Sequence, residues 1–246
     1  MGLQDKTALV TGSAQGLGRI IAIQLAKAHA KVIVNDLADK AKLQRVLDEI
    51  HAEGGQAQSC CCDITDEAAV AAMFARMGPV DILVNNARLD PYCRNPDDTE
   101  AQWFERVIHV NLTGAFICSM ALFEQARPRG YGRIVNISSV RAFLPAEMNM
   151  IAYGVSKLGL HGLTRAFSAN GAAYGITANT VAPGMIVTEN IDKRLTAEMK
   201  AGEVARIPLG RGATCEEVAE AVLFVINNAC VTGETINING GMYYAP

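Results

Sequence analysis

The 246-residue sequence has no excess of positive charge: 22 lysines and arginines stand against 25 aspartates and glutamates, for a net charge of −3. No basic run breaks that balance, so the footprint expected for nucleic acid or an anionic membrane is missing. No apolar stretch reads as reaching the about 20 residues of a membrane span. Residues 1–6 lead almost at once into the first strand, so no signal peptide is expected, and Lys6 stands where myristoylation asks for Ser or Thr. A cytoplasmic protein is the expectation. Cys-x-x-Cys is absent, and His29, His51, His109 and His161 are scattered. No metal site is expected from that spacing. The seven cysteines include the adjacent Cys60, Cys61 and Cys62. Neighbours on a strand face opposite ways, which suits reduced, mostly buried thiols better than chelation. No Gly-x-Ser-x-Gly elbow occurs, which argues against a serine hydrolase. Linkers, repeats and low-complexity tracts are also missing, so 1–246 reads as one domain.

What is present is alternation. Apolar strand-like segments at 6–11, 31–36, 57–62, 80–85, 132–138, 176–181 and 234–239 alternate with helical patterns, among them 40–53, 100–127, 153–174 and 215–228. This order predicts an α/β fold: a Rossmann-type, doubly wound parallel sheet of about seven strands with helices on both faces. Residues 185–206 read as an irregular polar segment with a helix around 196–205, a plausible cover for a substrate. Ligands of such sheets bind beyond the carboxyl ends of the strands.

The chemistry-bearing residues gather at that edge. Gly12, Gln15, Gly16 and Gly18 lie between the first strand and the first helix. Glycines there let a backbone approach a pyrophosphate, and a helix N-terminus favours an anion. Asp36 ends the second strand close to the spacing expected of a ribose ligand. Its carboxylate would accept from a 2′-hydroxyl and repel a 2′-phosphate, and the neighbouring Gln15 and Leu37 are uncharged. NAD is therefore favoured over NADP. Asp63 reads either as an adenine contact or as a turn residue. Asn111 falls inside a helical stretch, which asks for a buried hydrogen bond or a bound water to compensate it. Ser139 ends the strand 132–138, and Tyr153 and Lys157 stand at i and i+4 on one helix face. A free phenol, with a pKa of about 10, is a poor base; a nearby ammonium favours its phenolate. A serine hydroxyl opposite would hold a substrate oxygen.

Thr11-Gly-x-x-x-Gly-x-Gly18, Asn85-Asn-Ala87, Asn111, Ser139, Tyr153-x-x-x-Lys157, Pro183-Gly184 and Thr232-Gly-Glu-Thr235, in this order, resemble the short-chain dehydrogenase/reductase family over essentially the whole chain. The resemblance implies a general acid/base role for Tyr153, a supporting role for Lys157 that includes holding the nicotinamide ribose, substrate binding by Ser139 and a relay water at Asn111. It implies cofactor contacts at Leu17, Leu37, Ile64, Asn86, Ala87, Pro183, Gly184, Ile186 and Thr188, the last at the carboxamide. The implied activity is NAD(H)-dependent interconversion of a small secondary alcohol and a ketone. A 3-oxoacyl-acyl-carrier-protein reductase is the alternative, suggested by the C-terminal segment and by Arg206-Ile-Pro-Leu-Gly-Arg211. A non-catalytic dinucleotide-binding protein is the remote one. A homotetramer or homodimer is expected, packed through helices 103–127 and 151–174. Arg88 departs from the family pattern, which has glycine after Asn-Asn-Ala. It is expected near the cofactor ribose or the substrate mouth. Arg141 and Ala142 after the serine predict a narrowed entrance.

Overall fold

A computed structural model describes residues 2–37, 40–188 and 195–244. The chain alternates strand and helix: β1 (Thr7–Val10), α1 (Gly16–Lys27), β2 (Lys31–Asp36), α2 (Lys40–Ala52), β3 (Gln56–Cys61), α3 (Glu67–Met77), β4 (Ile82–Asn85), α4 (Glu100–Ile108), α5 (Gly114–Ala126), β5 (Gly132–Ile137), α6 (Ile151–Gly171) and β6 (Ile176–Pro183). After these come β7 (Ile186–Val187), α7 (Ala197–Ala205), β8 (Ala213–Thr214), α8 (Cys215–Asn227) and β9 (Thr235–Ile238). Seven strands form one sheet in the order β3-β2-β1-β4-β5-β6-β9, and every pairing in it is parallel. The order reverses at β1, so the cleft of a doubly wound sheet opens beside it.

Strand periodicity assigns the two cores. On β1, Ala8 and Val10 turn to one face and meet α1, α2 and α8 through Ile21, Leu25, Val46 and Val222. Leu9 turns to the other face, where Val70, Leu122 and Phe167 of α3, α5 and α6 cover it. Each large aliphatic side chain buried in this way contributes about 1.5–3 kcal/mol. Asp66 caps α3 by accepting from Ala69 N at 3.0 Å.

The structure departs from the sequence reading in three places. Segment 185–206 is not wholly irregular: Ile186–Val187 pairs in parallel with Ala213–Thr214, which anchors its start. Residues 189–194 of that segment lie outside the described residues. The helical run 100–129 contains an 18-residue window whose mean hydropathy of 1.5 is apolar enough to cross a membrane. It nonetheless packs in the core: Cys118, Leu122 and Phe123 are buried against the sheet, and Trp103 and Val107 against Ala152. Finally, this run is not one α-helix. Residues His109–Thr113 form a π turn between α4 and α5. Such a widened turn redirects side chains and recurs at functional sites; here it carries Asn111.

Candidate active site

The first βα turn is built by contacts that only glycine allows. Gly12 has φ of 62°, and a Cβ there would stand 2.7 Å from Ala87 Cα. A Cβ on Gly18 would stand 2.4 Å from both Gly12 O and Asn86 Nδ2. Asn86 is the staple: its Nδ2 donates to Thr11 O and Gly12 O, both at 2.9 Å. Around Gly16, by contrast, nothing lies within 4 Å of where its Cβ would be. Gly16 borders a cavity of about 580 Å³.

That cavity gathers the residues singled out in the sequence. Gly12, Gln15, Gly16, Leu17 and Gly18 form one wall; Asp36, Leu37, Asp63 and Ile64 form the end beside β2 and β3. Asn86 and Ala87 follow, then Ser139, Tyr153 and Lys157, and finally Pro183, Gly184, Ile186 and Thr188. The Asp36 carboxylate accepts from Leu37 N at 2.8 Å and Ala14 N at 3.3 Å. Asp63 accepts from Thr65 N and Thr65 Oγ at 2.9 and 2.8 Å while also bordering the cavity. The turn role of Asp63 is thus present in the structure.

The two serines after β5 divide the work. Ser139 borders the cavity and accepts from Arg141 N at 3.2 Å. Ser138 donates to Lys157 O at 2.9 Å and lies 2.9 Å from His161 Nε2. Burial, helped by the charge of Arg165, pushes His161 down to about 4, so its ring is neutral at neutral pH. Ser138 spends its one proton on Lys157 O. The ring proton therefore sits on Nε2 and is donated to Ser138, while Nδ1 accepts from Thr235 Oγ at 3.0 Å. This chain ties α6 to β5 and β9.

Lys157 is 1% exposed, and its ammonium donates to Ile137 O at 2.8 Å, 5.6 Å from the Tyr153 ring centroid. Burial, then the positive charge of Arg88, pushes the lysine down to about 7. Asn111 is not among the residues that border the cavity. It is 1% exposed, accepts from Leu89 N at 2.7 Å and donates to Ser156 Oγ at 3.1 Å. Ser156 Oγ in turn donates to Tyr153 O at 2.7 Å. The buried hydrogen bonds asked for by an asparagine in a helix are thus found, and they connect α6 to the segment after β4.

Several parts of the site went unseen in the sequence. Asn85, Asn136 and Thr180 share one row across β4, β5 and β6. Asn85 donates to Asn136 at 2.8 Å, Asn136 donates to Thr164 at 2.8 Å, and Thr164 meets Thr180 at 2.7 Å. This buried polar chain stiffens the floor below Ser138. Arg141 borders the cavity, and its partner was not foreseen: Glu203 of α7 holds its guanidinium through both carboxylate oxygens, at 2.9 and 3.0 Å. Met242 of the C-terminal segment closes one wall, behind Tyr243, which stacks on Phe143 at 4.5 Å. Among the described residues, no three His, Cys, Asp or Glu side chains are grouped to hold a metal.

The short chain dehydrogenase family profile matches residues 6–199. An acetoacetyl-CoA reductase of Rhizobium meliloti is 39% identical over 98% of this chain and 100% of its own. A 3-oxoacyl-[acyl-carrier-protein] reductase of Staphylococcus aureus is 37% identical over 97% of this chain and 98% of its own. Among solved structures, a candidate gluconate dehydrogenase from Agrobacterium tumefaciens superimposes with a TM-score of 0.90 at 36% identity, covering 98% of this chain and 97% of that one. A 3-oxoacyl-[acyl-carrier protein] reductase of Brucella melitensis with bound NAD gives 0.87 at 32% identity, covering 98% and 92%.

Proposed function

The chain belongs to the short-chain dehydrogenase/reductase family, and from that premise we propose that it interconverts a small secondary alcohol and a ketone with NAD(H), Tyr153 acting as general acid and base. The observation that carries this reading is one cavity bordered by Ser139, Tyr153, Lys157, the Gly12–Gly18 turn and Asp36. The site fits a dinucleotide: the glycines leave room along the turn, and an acid waits at the end of β2. A nicotinamide cofactor, when bound, supplies or accepts the hydride.

The protein's own residues handle the proton and the geometry. Ser139 Oγ holds the substrate oxygen. Tyr153 takes the hydroxyl proton during oxidation and returns it during reduction. Lys157 stands beside the charge that develops on the phenol oxygen. The ordered chain through Ser138 and His161 keeps Lys157 in register with Ser139. Asn111 sets the pitch of the Tyr153 turn through Ser156, and a relay water at Asn111 is part of the same reading. Helix α7, fastened by Arg141–Glu203, covers the substrate.

NAD rather than NADP is supported by Asp36. The family does not decide it: a candidate gluconate 5-dehydrogenase of Beutenbergia cavernae holds NADP, and the Brucella melitensis reductase holds NAD. An acyl-thioester reductase is the second reading, supported by the acetoacetyl-CoA and acyl-carrier-protein reductases at 39% and 37% identity. Arg127 and Arg129 are arginines that an acidic carrier protein could meet, but Arg129 is already paired with Asp81 Oδ1 at 2.5 Å. Turnover of a panel of secondary alcohols and an oxoacyl thioester, each with NAD(H) and NADP(H), separates the two. Thioester reduction with NADPH and no alcohol oxidation refutes the first reading.

A homotetramer or homodimer in the cytoplasm completes the proposal. Ile151, Val155 and Leu158 recur at i, i+4 and i+7 on α6 and are 39%, 46% and 52% exposed. Phe116 and Met120 on α5 are also exposed. Apolar side chains in such a row mark an interface. The double variant Val155→Glu and Leu158→Glu is expected to lower the oligomeric state by at least twofold in light scattering. An unchanged mass moves the interface elsewhere.

A further inference from the structure

Three arginines stand in loops near the site, each paired with a carboxylate; Arg88 and Arg141 border the cavity. Arg94 donates to Glu100 Oε1 at 2.6 Å and to Asp98 O at 2.7 Å. Arg141 is held by both carboxylate oxygens of Glu203. Arg88 differs. Its Nη1 donates to Asp90 Oδ2 at 2.9 Å, and its side chain is 34% exposed on the cavity wall it shares with Tyr153 and Ser139.

The backbone beneath Arg88 is fixed on both sides. Ala87 N donates to Thr11 Oγ at 3.1 Å, and Leu89 N donates to Asn111 Oδ1 at 2.7 Å. Asp90 is itself steadied by Tyr92 N at 3.1 Å. A guanidinium has five donors in a planar fork suited to carboxylates. Asp90 takes one edge and orients the rest. A plain surface ion pair would need neither the clamped backbone nor a place beside Tyr153.

We propose that Arg88 binds the carboxylate of the substrate, so that the enzyme acts on a small secondary alcohol bearing a carboxylate within a few bonds of its carbinol carbon. The inference rests on the alcohol–ketone reading above and narrows it to hydroxy and oxo acids. The dinucleotide's pyrophosphate has its own place along the Gly12–Gly18 turn, so it does not need Arg88. Burial works against the Arg88 charge, and Tyr153 and Asp90 more than offset that effect. Arg88 also works against the ammonium of Lys157. An arriving carboxylate neutralises the excess cation and relieves that opposition, which ties acid binding to a competent site.

The test uses matched pairs with the full-length enzyme: 3-hydroxybutyrate against its methyl ester, and gluconate against glucitol. Wild type is expected to prefer the acid of at least one pair by about 100-fold in kcat/KM. Arg88→Gln is expected to collapse that ratio to within about threefold, and Arg88→Lys to keep an intermediate value. Binding of 3-oxobutyrate in the presence of NAD, which cannot react, follows the same order by fluorescence titration without relying on turnover. A ratio unchanged in Arg88→Gln, with both members of each pair slowed alike, overturns the proposal and makes Arg88 an electrostatic neighbour of Tyr153. So does a wild-type preference for the neutral partner, or an NADH affinity that falls with Arg88→Gln. Failure of every alcohol and ketone with either cofactor, by contrast, is failure of the alcohol–ketone reading itself.

Discussion

Replacing Tyr153 by phenylalanine is expected to lower kcat by about 10³-fold while NADH affinity stays within about twofold of wild type. The change removes one oxygen and leaves the ring that half-fills its place on α6. No hydrogen bond from that hydroxyl to the protein is found among the described residues, so its loss orphans no partner. Thermal stability should therefore shift by no more than about 0.5 kcal/mol, as for a surface substitution. General acid/base groups contribute about 10²–10⁴-fold, and this one has no evident substitute: His161 is turned away onto Ser138 and Thr235. Lys157 offers a less clean test. Its ammonium holds Ile137 O inside the core, so its removal disturbs structure, cofactor and chemistry together. Stopped-flow measurement of NADH formation, with NADH binding followed by fluorescence, checks the prediction. Turnover within tenfold of wild type removes Tyr153 from the chemistry.

The parts of this site that the sequence made legible are local. The glycine turn, the acid ending β2 and the Tyr153–Lys157 pair are each set by neighbours a few residues away, and strand and helix periods fix which edge they share. Asp36 and Tyr153 meet one cavity because parallel strands all end on the same side, which the alternation of elements already implied. What stayed hidden depends on pairs far apart in the chain. Arg141 and Glu203 are joined across segment 141–203, whose path no local pattern encodes. Met242 reaches the cavity because β9 is the last strand of the sheet, beside β6. The π turn at His109–Thr113 inserts one residue into a helical pattern that reads as continuous, and the Leu89 and Ser156 contacts of Asn111 explain it only after folding. The run 100–129 reads as holding no membrane span, although a window of it is apolar enough for one; its apolar side chains serve a buried core and an exposed face.

Replacing Asp36 by alanine is expected to shift the ratio of NADH to NADPH affinity by about 100-fold toward NADPH. Two effects add. A carboxylate accepting from a ribose hydroxyl is a charged hydrogen bond, worth about 1.5–3 kcal/mol, so NADH should weaken by about 10- to 100-fold. The same carboxylate opposes a 2′-phosphate. Two unit charges 5 Å apart at an effective dielectric of about 20 interact by about 3 kcal/mol, and exposure to water at the end of β2 reduces this to a gain for NADPH nearer tenfold. The backbone donors left behind, Ala14 N and Leu37 N, lose their acceptor, and of the two Leu37 borders the cavity, where a phosphate oxygen can accept from it. Adding Leu37→Arg supplies the cation that wild type lacks there; Leu37 is 59% exposed, so the exchange costs little packing. The double variant should therefore favour NADPH outright, whereas the single variant only loses its preference. Fluorescence titration of both variants with both cofactors measures this directly. If the ratio does not move in either variant, the ribose is held elsewhere, and discrimination between the cofactors belongs to the Gly12–Gly18 turn rather than to the end of β2.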